Sequence, residues 1–467
     1  MMRVSSFTSS SKTIMKRILK ILFVLIAIGA ICTTYMRYTA IYKGESFYDY
    51  KHFVKPDTID VLTVGSSHAY CGVNPIQMYD DYGISAYNLA SGNQSIWFSY
   101  YYIKEVLKDQ RPKVILLDIY TIANLDDSFD YNIPMNFLSM PFGYYKYEAL
   151  KNAGAGENLE DILFEFPTTH TRYNELDRSS FQLNDSCTLG YQYFDQVFSF
   201  ENVLDYATIT EQKPISEKAE QYLRKVLELC NRRGIQLVLF NAPCPTVTEE
   251  QQQGYNYVAA IAEEYGVPFI NGCVLASDIG IDYQTDCFDE AGHLNYSGVT
   301  KFTKWVEEYL LTLEELRDHR GEENYSHWEE ASERLAGRIY NDNLDADNVV
   351  DYLNLIVEDP NRYTVVLYNG YENKLEPLGI LLDQPQVLVI QNGEVVFQAS
   401  GAMGYEYYDW IDQYSFFYYG NSEYQEFKLG TETIYRLENT DDVQFNVYTY
   451  NTEIGVGSWK KKEFINP

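Results

Sequence analysis

Two short stretches carry side chains able to move an acyl group: Gly65-Ser66-Ser67-His68, and Asp289-Glu290-Ala291-Gly292-His293. A serine on a tight turn presents its hydroxyl, an imidazole takes the proton, and a carboxylate orients the imidazole. Histidine is scarce, at positions 52, 68, 170, 293, 319 and 327, and the adjacent carboxylates single out His293 as the base. Either Glu290 or Asp289 can be the acid. A third stretch, Tyr87 to Ser95, reads as a short strand ending in a polar loop, where Gly92 lets backbone approach a substrate. Each stretch alone is ordinary, since serine favours helix N-caps and a lone histidine is more often structural.

The elements that must bring these stretches together are legible as alternation. Ile59–Val64, Lys113–Ile119, Ile235–Phe240 and Val267–Ile270 are short, nearly continuous apolar runs, the pattern of strands buried on both faces. Between them, helices are expected over 75–82, 96–108, 216–233, 248–265 and 297–313. This predicts a three-layer α/β unit with a mostly parallel sheet over 50–315, whose site lies at the carboxyl ends of the strands. Residues 125–211 break the alternation and read as an insertion beside the site. The aromatic run Trp97–Tyr102 is either a glycan-holding surface or a helix face packed on the sheet.

Charged, helix-forming sequence over 316–340 reads as a linker, and 341–467 as a smaller β-rich domain. Asn369-Gly370 and Asn392-Gly393 suit type I′ turns, and the second lies between two apolar runs as a hairpin requires. The clusters at Tyr405–Trp410 and Phe416–Tyr419 suggest a sandwich-like module touching a surface polymer or a partner.

With 36 Lys plus Arg against 67 Asp plus Glu, the formal charge is −31, the wrong sign for a nucleic-acid binder. Lys12, Lys16, Arg17 and Lys20 precede an apolar run, and Ile18–Met36 reaches about 28 Å as a helix, enough to span a bilayer. The basic flank places the N-terminus in the cytoplasm and the bulk of the chain outside. An uncleaved anchor is expected over 1–40, with a cleaved signal peptide as the rival. The seven cysteines lack metal-site or dithiol spacing, so no metal and no cofactor are expected; disulfides and isolated buried thiols both remain open. The 44 tyrosines suit either contact with polar ligands or sheet-rich sequence.

As an ordered set, the three stretches resemble the SGNH (GDSL-like) hydrolase superfamily. Gly65-Ser66-Ser67 matches its first block with Ser66 in the Asp place. Asn88–Asn93 looks like the second, and Glu290-Ala291-Gly292-His293 like the last. The resemblance implies Ser67 as nucleophile, His293 as base, Glu290 or Asp289 as acid, and N–H groups of Ser67 and Gly92 as oxyanion donors. The usual third-block Asn is missing after Leu117-Asp118-Ile119-Tyr120, leaving Asn93 and Asn124 as candidates for the third donor. Anchor, Gly-Ser-Ser and His-Leu-Asn together look like the membrane-anchored DltD and the AlgJ, AlgX and PatB group. That likeness implies O-acylation (acetyl or D-alanyl) of a cell-surface glycan or polyol-phosphate polymer, beside a membrane-bound O-acyltransferase (MBOAT-like) that delivers the acyl group. The alternatives are an esterase, or a catalytically silent glycan-binding scaffold.

Overall fold

A computed structural model describes residues 5–39, 46–123, 136–153, 159–164, 188–342, 349, 352–353, 362–369, 386–391, 394–400, 405–411, 414–429, 433–438, 444–451 and 460–465. The chain begins with helices α1 (Ser5–Thr39) and α2 (Ser46–Phe53) and then alternates. In order come β1 (Val61–Gly65), α3 (Ser67–Tyr70), α4 (Pro75–Tyr82), β2 (Ala86–Ala90), α5 (Ile96–Val106) and β3 (Val114–Asp118). Helices α6 (Tyr144–Ala153), α7 (Leu159–Phe164) and α8 (Glu217–Arg233) precede β4 (Gln236–Asn241). After it come α9 (Glu249–Glu264), β5 (Phe269–Asn271), α10 (Gly272–Ile279), α11 (Tyr296–Leu313) and α12 (Ser326–Asp342).

The five strands form one parallel sheet in the order β2-β1-β3-β4-β5. Strands β1, β2 and β3 are buried along their whole length, which is why their sequences are continuous apolar runs rather than alternating ones. The chain leaves β1 to one side for β2 and returns to the other for β3. That reversal opens a crevice at the carboxyl ends of β1 and β3, where ligands bind in open α/β sheets.

Local signals set the helix ends. Asn74 caps α4 ahead of Pro75, and Gly83 ends it in the left-handed region. Ser216 and Gly234 do the same for α8, and Thr248 with Gln251 forms a reciprocal capping box on α9. Helix α5 resolves the two readings of its aromatic run in favour of packing: Trp97, Phe98, Tyr101 and Tyr102 are all buried in the core. Within the stretch read as a linker, Trp328 of α12 is fully buried in that core, and its indole N–H donates to the Ala86 carbonyl at 2.8 Å. Burying a side chain of this size is worth about 1.5–3 kcal/mol.

Helix α1 leaves Leu19, Ile21, Phe23, Ile26 and Ile31 all more than half exposed. Among the described residues no helix is long and apolar enough to cross a membrane. The side chains at 25, 33 and 36 within Ile18–Met36 lie outside those described. The span expected from the sequence is therefore not among the fold's described features.

The C-terminal strands are β6 (Arg362–Asn369), β7 (Gln386–Gln391), β8 (Glu394–Ser400), β9 (Tyr405–Ile411), β10 (Tyr414–Gly420), β11 (Tyr424–Leu429), β12 (Thr433–Glu438), β13 (Gln444–Asn451) and β14 (Lys460–Ile465). They form two antiparallel sheets, β12-β11-β10-β9 and β14-β13-β6-β7-β8. Val365, Leu367, Val387 and Val389 of one sheet share a core with Phe416, Tyr418 and Phe427 of the other, which makes a β-sandwich. Strands β7 and β8 pair with Gln391 opposite Glu394, the register of a two-residue hairpin, although Asn392, Gly393 and Gly370 lie outside the described residues. Of the two aromatic clusters, Phe416 and Tyr418 point into this core, and the side chains of 405–411 lie outside the described set.

Candidate active site

Strand β1 ends at Gly65, and Ser66 caps the short helix α3, which starts at Ser67. The turn is tied to the neighbouring strand by Asp118, the last residue of β3. Asp118 Oδ2 accepts from the Ser66 backbone N–H at 2.9 Å and from its hydroxyl at 2.6 Å, and Oδ1 accepts from the Tyr120 N–H at 2.9 Å. Burial pushes the Asp118 carboxyl up from its ordinary range, and the three hydrogen bonds pull the other way. A Cβ on residue 65 would stand 2.3 Å from the Asp118 Cβ, so the approach of the two strands requires glycine there. The residue in the usual Asp position is thus a serine held by an aspartate from the next strand, a substitution that leaves the turn anchored.

The second block lies beside this turn. Gly65 pairs with Ala90, and the Ser91 N–H donates to the Gly65 carbonyl at 3.0 Å, which sets the loop holding Gly92 next to the nucleophile turn. Asn93 sits in the left-handed region at φ 50° with an exposed side chain. Asn124 lies outside the described residues. From the inserted segment, buried Asn136 extends its amide toward the Gly92 carbonyl at 3.4 Å, a contact no spacing rule could have found.

The acid-histidine stretch folds as a small hairpin. Cys287 bridges Leu294, the Phe288 N–H donates to the His293 carbonyl, and the Asn295 N–H donates to the Asp286 carbonyl. Gly292 turns at φ 79°, where an added Cβ would meet Pro245 at 2.8 Å and the Cys244 sulfur at 3.1 Å. Asn295 caps α11 and also donates its amide to the Thr285 carbonyl at 2.7 Å and the Gln196 carbonyl at 3.0 Å.

These devices bring three of the expected residues into one line. The His293 Nε2 is 2.8 Å from the Ser67 Oγ, and its Nδ1 is 2.7 Å from the Asp289 Oδ2. The other Asp289 oxygen accepts from the His293 backbone N–H at 3.1 Å, so this carboxylate grips both ends of its partner. Glu290, the acid the block alignment favoured, is exposed, and the hydrogen bonds of the His293 ring go to Asp289 and Ser67. With Gly292 in the left-handed turn, the carboxylate four residues before the histidine faces the ring rather than the one three before it. Ser67 itself is half-buried and reachable.

His68 and Tyr120 complete the surroundings. The His68 ring stacks on His293 at 4.2 Å between centroids and on Tyr120 at 3.6 Å. Burial, followed by the nearby His293, pushes the His68 imidazole well below the usual histidine range. The sequence offered the residue, directly after Ser67, but no sign of its role. Cys71, Cys244, Cys273 and Cys287 surround the loop as free buried thiols whose pKa values burial pushes up, while Cys187 lies outside the described residues. That is the chemistry of inert packing.

No family model and no curated protein matches the chain. Among solved structures, a protein of the G-D-S-L lipolytic family from Desulfitobacterium hafniense DCB-2 overlaps 53% of this chain and 97% of its own, at 10% identity and a TM-score of 0.29. A GDSL-like lipase from Bacteroides thetaiotaomicron VPI-5482 overlaps 57% and 100%, at 9% identity and 0.28. An acetyl xylan esterase overlaps 55% and 99%, at 10% identity and 0.27. Overlaps this loose do not assign the chain a family.

Proposed function

We propose that the protein is a Ser-His-Asp acyl-transfer enzyme that forms an acyl-Ser67 intermediate and passes the acyl group to a hydroxyl. The observation that carries this is the unbroken line from Ser67 Oγ through the His293 ring to Asp289, at 2.8 and 2.7 Å. As Ser67 attacks the acyl carbonyl, its proton moves to His293 Nε2 while Asp289 holds the Nδ1–H and offsets the new imidazolium charge. The N–H groups of Ser67 and Gly92 receive the oxyanion. The tetrahedral intermediate collapses with His293 returning the proton to the leaving group, and the incoming hydroxyl is activated by the same base in the second half.

The acceptor we propose is a cell-surface glycan. A net charge of −31 repels a polyanion, so a neutral sugar hydroxyl suits this chain better than a polyol phosphate. A tethered position at the membrane, N-terminus inside, belongs to the same proposal. It is supported by the exposed apolar side chains of α1 and by the basic residues Lys16, Arg17 and Lys20 at the N-terminal end of that apolar run. The motif resemblance adds a membrane-bound O-acyltransferase as the source of the acyl group.

The test is to load the chain from residue 46 onward with an acetyl group from an activated ester and then offer neutral glycans, polyol phosphates or water alone. Acetyl moving from Ser67 to the glycan supports the transferase. Release to water alone, at a rate no acceptor changes, replaces it with an esterase.

A further inference from the structure

Five aromatic rings follow one another through the site, Tyr120, His68, His293, Phe288 and Phe194, the first pair tilted and the others near-parallel. Successive centroids are 3.6, 4.2, 5.6 and 3.9 Å apart, with planes inclined by 31°, 26°, 19° and 16°. The rings come from four segments of the chain, with Phe288 and His293 on one hairpin, so most of the arrangement is a product of the fold rather than of neighbouring residues.

We propose that His68 is a positioning residue for the reaction, its buried ring fixing the plane of the His293 imidazole and stabilising the imidazolium formed when Ser67 gives up its proton. This inference rests on the acyl-transfer reading above. An imidazole held only at its two nitrogens, by Ser67 and Asp289, can still tip about the line joining them. The near-parallel rings of His68 and Phe288 beside it limit that freedom, and His68 is the nearer of the two. A ring face also attracts a cation, the more so where water is excluded. The effect needs a neutral partner, since a second imidazolium would repel the first. Burial of His68 supplies that condition.

The His68 backbone is anchored: its backbone N–H donates to the Ser66 hydroxyl oxygen at 3.2 Å, and that hydroxyl donates to Asp118. Tyr120 is held in turn, its carbonyl accepting from the Tyr255 hydroxyl at 2.9 Å. The nucleophile and the ring that supports its base therefore leave one short helix as adjacent residues, so moving either moves both. The titratable groups around His293 are Asp289, Asp118, His68, Tyr120, Cys71 and Cys244, and only His68 is changed in the test.

The test compares wild type, His68→Ala and His68→Phe with p-nitrophenyl acetate, and follows the His293 imidazole titration by NMR in parallel. For His68→Ala we expect kcat to fall about 10-fold or more with KM changed less than about 2-fold, and the His293 titration to move about half a unit to one unit lower. His68→Phe, which keeps a ring face, restores the titration and most of kcat. Equal losses in both variants, or a loss in His68→Ala with the titration unmoved, overturn the proposal. If wild type forms no acyl-Ser67, the acyl-transfer reading itself fails, while the NMR comparison still decides whether His68 supports the imidazole.

Discussion

The two halves of the site are held by different physics. The nucleophile turn rests on a few short hydrogen bonds to one buried carboxylate, Asp118, and on a glycine with no room for a Cβ. The acid-histidine hairpin rests on a backbone ladder, the three-way amide of Asn295 and the faces of aromatic rings. The first half is fully enclosed at Ser66 and Asp118. In the second, the Asp289 side chain is 33% exposed. On the acyl-transfer reading, the attacking atom is set by directional bonds, whereas the base, which would change charge during the reaction, is set by contacts that tolerate that change.

The largest effects should separate the reacting residues from their supports. Ser67→Ala should lower acyl transfer by roughly 10⁴-fold or more with the fold intact, measured as rate and thermal melt together. Asp289→Ala should cost roughly 10³- to 10⁴-fold, and Glu290→Ala no more than about 2-fold, the size of an exposed substitution. A larger loss from Glu290→Ala would mean that the hairpin is read one residue out of place.

Stability should then tell the two supports apart. Gly65→Ala forces a Cβ against Asp118 and should cost about 1–3 kcal/mol, as overpacking does; Asp118→Asn should cost about the same by unpairing Ser66. If Asp118→Asn proves neutral in urea unfolding, the turn does not depend on its buried carboxylate.

The smallest effect is a pH slope. His68 is buried with its imidazole pushed below the usual range, so the unfolded chain takes up a proton that the folded one refuses. Its contribution to stability is present above about pH 6.5 and is lost as pH falls below that value, at up to about 1.4 kcal/mol per pH unit. In His68→Phe, the acid side of the stability profile should be shallower by that amount. An unchanged slope would mean that the folded protein admits the proton.

Much of the sheet was legible because a strand buried on both faces writes itself as a continuous apolar run. The β1, β3, β4 and β5 segments lie within two residues of where Ile59–Val64 and its counterparts put them. The stretches bearing Ser67 and His293 were legible for a similar reason, since nucleophile turn and acid-histidine loop each need their residues close in sequence. What escaped was whatever depends on contact between distant segments. Asp118 looks like the mere end of a strand until β1 and β3 lie side by side, and Asn136 comes from an insertion without pattern. The choice between Asp289 and Glu290 turned on the left-handed turn at Gly292, which spacing alone does not reveal. The aromatic residues of α5 fit both surface and core, and only packing chose.

The most direct measurement is intact mass after exposure to an activated acetyl ester, for wild type, Ser67→Ala and His293→Ala side by side. The account predicts one added acetyl on wild type, localised to Ser67 by peptide mapping, and none on either variant. An acetyl that persists in Ser67→Ala, or a wild-type protein left unmodified while the Ser67–His293 contact is intact, would contradict it.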